Sequence, residues 1–267
     1  MVTRAVAAVG RRTRQRAANW MGRVRFIGAV ARSAVHYPAT TRTQGLRVVI
    51  NQIRFTAVQA LPFLTIMALV IGLAVIAQAS AQAARFGFSD ILGTILVTVV
   101  IRELGPLLTA IVVLGRSGTA IAAELATNGV LRETEALESM GVDPLQYFVI
   151  PRVIGGAISV AMLVIFFDLV ALGGGAGFAW WMADVSPAAL AGSVRAALTP
   201  LDLWLTVVKG GVFGVGIATL CSYEGLVGGR VPTDIPQCVT RGVVASLLFI
   251  FLVSVSFSLL FWLVLNQ

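Results

Sequence analysis

Charge is what this sequence has least of. Acidic and basic side chains make up 12% of its 267 residues, while 58% are hydrophobic and mean hydropathy is +0.91. That is about half the charge share of a water-soluble domain, so the apolar content points to one membrane domain rather than one or two soluble ones. Cysteine is nearly missing. Cys221 and Cys238 lie near the ends of apolar segments with no metal-ligand spacing, which excludes a disulfide framework and a zinc site. The single histidine, His36, sits in a basic polar stretch, where a structural or solvated role is the plain reading. No serine, cysteine or histidine constellation for nucleophilic catalysis is visible. No Gly-rich Walker loop occurs either, so the chain binds no ATP through a P-loop of its own. The expectation is a non-enzyme with no catalytic residue, metal or cofactor of its own.

Acidic residues are also absent from the first third: every one lies at or beyond Asp90, whereas Arg4, Arg11, Arg12, Arg14, Arg16, Arg23, Arg25, Arg32, Arg42, Arg47 and Arg54 precede it. In a chain this apolar, anionic lipid headgroups suit such a block better than nucleic acid does. Residues 1–54 therefore read as a basic amphipathic interfacial segment. An organelle transit peptide is the competing reading, opposed by the scarcity of serine, since Ser33 is the only one there. No short apolar run before a small-residue cleavage site marks a signal peptide, so the N-terminus is expected to stay.

What is present is five apolar runs near the ~20 residues that a helix needs to cross a bilayer: Phe55–Ala77, Ile91–Leu114, Pro151 towards Phe178, Leu201–Cys221 and Gly242–Leu265. Arg116, Arg132, Arg152, Arg230 and Arg241 fall on one side, against Arg85 and Arg195 on the other. The positive-inside rule then places the N-terminus in the cytoplasm and the C-terminus outside. The outer loop between spans three and four, "WMADVSPAALAGSVRAALTP", has room for a short helix. "GGGAG" at 173–177 and "GGVFG" at 210–214 carry the Gly-x-x-x-Gly spacing of close helix packing or a dimer seam.

Arg102, Glu103, Asp168 and Lys209 fall inside these runs, at a cost of about 2.5–3.5 kcal/mol each at a helix centre. The default for such residues is a pathway, a cavity or an internal ion pair. Adjacent helical residues point about 100° apart, so Arg102 and Glu103 cannot neutralise each other on one face. Pro106 removes a backbone donor and should kink the second span. Two readings stand: a binding cavity at the kink, or pairs with Asp168 or Lys209 that only fix helix register.

The segment between spans two and three, about 116–145, is too polar to span. Glu124, Glu133, Glu135, Glu138 and Asp143 cluster there, and "GVLRETEALESMG" has helix-forming content with Gly141 as a natural C-cap and Pro144 beyond. An acidic helix has little reason to lie on anionic lipid. It reads either as a docking surface for another protein or as a solvated charged face.

Arg102 to Pro106 ("RELGP"), Gly115 to Glu124 ("GRSGTAIAAE"), Glu133 to Pro144 ("ETEALESMGVDP") and the pair Pro151–Arg152 form an ordered run over about fifty residues. This run resembles the MlaE/YrbE family of ABC-transporter permeases, and "FFDLVALGGG" around Asp168 and Gly173 fits it as well. The resemblance extends more weakly from about residue 45 to the C-terminus. It implies an all-α integral membrane fold: an N-terminal amphipathic elbow helix, a permease domain over 55–267 with five transmembrane helices, and a cytoplasmic coupling helix between spans two and three. It implies a homodimer that docks a separate ATPase, which holds the ATP and Mg, and that meets an MCE-domain lipid-binding protein. A small STAS-type accessory protein belongs to the implied partner set. The implied work is moving phospholipids or other hydrophobic molecules between the bacterial inner membrane and the envelope, with the plastid inner envelope as the second location. Carried over residue by residue, Arg102, Glu103 and Pro106 would line the lipid cavity, with Arg102 meeting a lipid phosphate. Glu124, Arg132, Glu133, Glu135, Leu137, Glu138, Met140, Asp143 and Pro144 would form the ATPase coupling surface. The sequence departs from the pattern in the Pro-containing stretch 228–240 and at Ser254, where many members have Asp. An ATP-independent carrier or scramblase using Glu103 and Asp168 as titrating groups is the reading from another class.

Overall fold

The computed structural model describes residues 21–34, 42–86, 91–182, 187–229 and 231–265. The basic stretch 1–20, His36, Asp90 and Arg230 lie outside the described residues. Among the described residues five helices are long and apolar enough to cross a membrane: Leu46–Ala81, Gly93–Val130, Leu145–Trp181, Pro200–Gly228 and Pro232–Phe261. All five begin or end well beyond the apolar runs, always towards the side of the polar segment between spans two and three. The polar residues there are few enough for a helix to continue once its apolar face is covered by neighbours.

We name the elements in chain order. Helix α1 covers 21–34. Helix α2, Arg42–Thr56, passes through a tight turn at Val58–Ala60 into α3, Leu61–Phe86. Helix α4 is one rod from Ile91 to Val130, regular except for wide π turns at Leu96–Leu104 and Leu114–Gly118. The short α5 is Glu133–Ser139. Helix α6 opens with a wide turn at Leu145–Val149 and runs on to Met182. Helix α7, Pro187–Ala197, is the short helix anticipated in the outer loop. Helices α8, Pro200–Gly228, and α9, Ile235–Leu265, complete the chain.

Helices α6 and α8 pack against each other at the centre. Helix α3 lies on α6, while α4 and α9 lie on α8. Half or more of the α6 and α8 spans is buried, against 28% for the α3 span and 22% for the α9 span, so these last two form the periphery. Lipid tails are as apolar as leucine, so close backbone approach and dispersion must hold such helices together. Glycine supplies the approach. Gly214 of α8 faces the Gly156 carbonyl of α6, Gly72 of α3 faces the Ala171 carbonyl of α6, and Gly229 faces the Ala126 carbonyl of α4. In "GGGAG", Gly174 and Gly175 pack on Leu69 and Ile76 of α3, while Gly173 and Gly177 face open space. The packing within the subunit is thus done by Gly174 and Gly175, while the Gly173–Gly177 pair that carries the Gly-x-x-x-Gly spacing lies open. Gly214→Leu should force α6 from α8 and cost about 3 kcal/mol, the upper end of overpacking penalties. Gly211→Leu, where an added side chain meets nothing, should leave unfolding in detergent within about 0.5 kcal/mol of the parent.

The two ends of the bundle differ. At one end Trp180, Trp181 and Trp204 are exposed, in the manner of an interfacial aromatic belt. At the other, α1 docks on α8. The Arg23 guanidinium donates from Nε and Nη2 to Glu224 Oε1 at 2.9 and 2.7 Å, and Phe26 meets Tyr223 edge-on at 5.2 Å. Part of the basic N-terminal segment is therefore fixed to the bundle by a specific ion pair.

Candidate functional site

Pro106 organises the centre of α4. A proline has no N–H, so it can serve neither Arg102 O, its partner in a regular turn, nor Ile101 O, its partner in a wide one. The wide turns end where Gly105 N–H reaches Val100 O, and Pro106 sits in the first turn of the regular segment Gly105–Val113. The helix is therefore not ended by its proline. The register shifts through a π segment, a common device at functional positions. Both stranded carbonyls are met from α8: Lys209 Nζ donates to Arg102 O at 3.0 Å, and Thr206 Oγ1 donates to Ile101 O at 3.4 Å.

Lys209 is the only lysine in the sequence, and its side chain is 4% exposed. Besides the carbonyl it holds Glu103 Oε2 at 3.1 Å. Glu103 accepts two further hydrogen bonds from α9, Ser258 Oγ to Oε1 at 2.5 Å and Ser254 Oγ to Oε2 at 3.4 Å. Arg102 turns the other way. Its Nη2 lies 3.0 Å from Asp202 Oδ1, and its guanidinium lies over the Phe261 ring at 4.5 Å. Asp202 is fully buried and doubles as the capping residue of α8. Its Oδ2 accepts from Thr199 N at 2.9 Å, while its own N–H donates to Thr199 Oγ1 at 3.3 Å.

The cluster therefore contains two ion pairs between α4 and α8, and the serine and phenylalanine contacts bring in α9 as the third helix. The anticipated partnership of Glu103 with Lys209 is present. Asp168 stands apart: it is buried against Gly105, and its Oδ1 finds no hydrogen-bond partner. Asp202, Thr206 and Ser258 were missed from sequence. The signal for Asp202 was there, since Thr199-Pro200-x-Asp202 reads as a capping box with proline at the first helical position.

Of the four paired charges, only Glu103 is substantially open, with 40% of its side chain exposed against 17% for Arg102 and none for Asp202. A cavity of about 320 Å³ lies between α3 and α4, lined by Ala74, Val75, Gln78, Ala79, Ile95 and Val99. Its walls are apolar with one amide, the composition of a site for a hydrophobic ligand. Glu103, whose carboxylate turns to Lys209 of α8 and to Ser254 and Ser258 of α9, is not among the residues lining this cavity.

The second candidate surface is the knob formed by α5. The chain leaves α4 through Arg132 in the left-handed region at φ 58°. Past the end of α5 it turns through Gly141 at φ 75°. There Gly141 N donates to Glu138 O and Val142 N to Leu137 O, the paired bonds of a Schellman cap. Gly141 thus caps the helix as its position foretold. Glu133, Glu135 and Glu138 are exposed beside Leu131 and Met140, which is 68% exposed, while Leu137 packs inward. Asp143 and Pro144 start α6, with Asp143 Oδ1 accepting from Leu145 N at 2.9 Å. Glu124 is not on this knob. It stays in α4 and pairs with Arg152 of α6 at 2.8 Å.

The permease MlaE family model matches residues 49–260. A probable ABC transporter permease protein of Rickettsia conorii is 33% identical over 205 residues, 77% of this chain and 79% of that one. The intermembrane phospholipid transport system permease protein MlaE of Haemophilus influenzae is 30% identical, over 73% of this chain and 75% of that one. The chloroplastic protein trigalactosyldiacylglycerol 1 of Arabidopsis thaliana is 30% identical over 76% of this chain and 58% of that protein. The matched region takes in all of α3 to α8 and nearly all of α9, and with them both charged pairs and the knob. The chain is a member of the MlaE family of ABC transporter permeases, a transport subunit rather than an enzyme.

Proposed function

We infer that this chain is the membrane subunit of an ATP-driven transporter that moves phospholipids between the inner membrane and the cell envelope. The observation that carries this reading is the match to the permease MlaE family over residues 49–260, beside which stand an apolar cavity between α3 and α4 and the partly open carboxylate of Glu103 within the spans. The cavity suits an acyl chain. The name of the Haemophilus relative supports phospholipid as the cargo. Arg102, closed over Asp202 and Phe261, serves as an anchor for α8. A lipid phosphate would have to displace Asp202 to reach it, so Glu103 is the contact group.

The α5 knob is the coupling surface for a separate ATPase that carries the ATP and Mg. Exposed leucine and methionine framed by three glutamates suit a docking patch with an apolar centre and a charged rim. Two copies of the chain form the pathway, an MCE-domain protein receives the lipid at the tryptophan end, and the N-terminus lies in the cytoplasm with α5. When the ATPase subunits close, α5 transmits the motion to α4 and α6 as rigid rods, and the cavity between α3 and α4 is squeezed. The test is charge reversal of Glu135 and Glu138 to lysine in the reconstituted complex. Copurification of the ATPase should fall at least tenfold and ATP-dependent lipid transfer with it. Full association and full transfer in the reversed variant would overturn the docking assignment. Transfer independent of ATP would favour a gradient-driven carrier.

A further inference from the structure

A second cavity, of about 240 Å³, opens between α2, α4 and α6. Val48, Phe55 and Ile121 form its apolar wall, and Asn51, Glu124 and Arg152 its polar one. Two helical rulers place it at one face of the bilayer. On α4, Ala120 lies 27 positions beyond Gly93, the first residue of the span, about 40 Å at 1.5 Å per residue, a length shortened by the wide turns at Leu96–Leu104 and Leu114–Gly118. On α6, Arg152 lies 28 positions before the exposed Trp180, about 42 Å. A bilayer with its headgroup layers is about 40–45 Å thick. The cavity therefore stands in the headgroup layer at the α5 end, with the tryptophans at the other.

Its chemistry is two-signed. Arg152 is buried, with an 8% exposed side chain, and directs Nη1 to Phe148 O at 2.6 Å and Nη2 to Glu124 Oε1 at 2.8 Å. A guanidinium has five N–H donors, so capacity remains for an acceptor. Glu124 is 58% exposed at its side chain and offers its second oxygen. On α2, Asn51 shares a helical stripe with Arg47 and Arg54 at spacings of four and three, and all three are exposed. A pocket meant for a bare anion would not carry a carboxylate in its wall. One meant for an apolar tail would not carry an arginine.

We propose that this cavity binds the headgroup of an amine-bearing zwitterionic phospholipid of the adjoining leaflet. The phosphate lies against Arg152 and Asn51, the protonated amine against Glu124, and the glycerol and upper acyl chain on Val48, Phe55 and Ile121. The site lies far from Glu103 along α4 and is separate from the cargo cavity. It clamps α2 to the α4–α6 pair through a lipid. The inference rests on the membrane-crossing helices and not on what the cavity between α3 and α4 carries.

The test uses the full-length chain in vesicles of equimolar phosphatidylethanolamine and phosphatidylglycerol, with Phe55 replaced by a photoreactive benzoylphenylalanine. Irradiation followed by mass spectrometry should give a phosphatidylethanolamine adduct at least fivefold over phosphatidylglycerol. Asn51→Trp, which fills the mouth from an exposed position and leaves the Glu124–Arg152 pair intact, should remove the adduct. Glu124→Gln should reduce the headgroup preference to near one. Excess inorganic phosphate should not compete, because the acyl and amine contacts are missing from it. Equal labelling of the two lipids, labelling unchanged by Asn51→Trp, or loss of labelling in free phosphate would each overturn the proposal. None of these outcomes depends on whether the chain transports lipid.

Discussion

Replacing Lys209 with methionine lowers the stability of the folded bundle by about 2–4 kcal/mol, and adding Pro106→Ala to that variant restores about 1–2 kcal/mol. The first part follows from two losses. Arg102 O, already without its normal donor because of Pro106, loses Lys209 Nζ at 3.0 Å, and a buried acceptor left unmet costs about 1–3 kcal/mol. Glu103 loses its counter-ion at 3.1 Å but keeps two serines and partial exposure, so its share is the smaller one. A third effect has the same sign. In the inserted but unassembled chain an unpaired lysine faces lipid at a cost, and methionine removes that cost from the unfolded state alone. The second part follows because alanine at position 106 returns an N–H to the helix, and that N–H can serve the carbonyl that lysine had served. Alone, Pro106→Ala should change stability little, since its donor then competes with an amine already in place. The coupling between positions 106 and 209 should exceed about 1 kcal/mol in a double-mutant cycle, read by reversible unfolding in detergent. Additive effects would mean that Lys209 acts only through Glu103.

This coupling marks the limit of what the sequence disclosed. The five spans were legible because long apolar runs leave few alternatives. Arg102, Glu103 and Lys209 stood out because each is costly where it lies. Which charge meets which was not legible. It depends on the rotation of α4, and that rotation is reset by a π segment of nine residues, Leu96–Leu104, which regular helical periodicity does not describe. Ser258 looked ordinary for the same reason, and Ser254 stood out only as a departure from the family pattern: a hydroxyl in an apolar helix carries meaning only once Glu103 is known to face it. The true length of α4 was hidden by Arg116, Glu124 and Asn128, which read as loop residues. In the fold Glu124 is paired with Arg152, while Ile121, Ala122, Leu125 and Ala126 of the same stretch are buried.

Asp202→Ala is the second substitution with a large expected effect, a loss of about 3–5 kcal/mol, the range for removing one member of a buried ion pair. Asp202 has two duties that substitution can separate. Thr199→Ala removes the hydroxyl that receives Asp202 N–H and should cost about 1 kcal/mol, as helix caps do. Asp202→Asn keeps a carbonyl oxygen for Thr199 N–H and for one Arg102 N–H but deletes the charge, and should fall between the two. The order Ala, then Asn, then Thr199→Ala, from most to least damaging in unfolding experiments, is what an anchoring ion pair requires. It should hold at low and high salt alike, because Asp202 is fully buried and buried pairs are little screened. The same series decides what Arg102 is for. If Arg102 is an anchor, transfer activity in the three variants follows the fraction of protein that is folded. If it meets a lipid phosphate, Asp202→Asn releases the guanidinium from its carboxylate and changes the KM for lipid in protein that remains folded. The geometry favours the first outcome. Arg102 has a carboxylate at 3.0 Å and an aromatic face at 4.5 Å, and its Nε, which has no hydrogen-bond partner, is buried, so a phosphate reaches the guanidinium only by displacing these contacts.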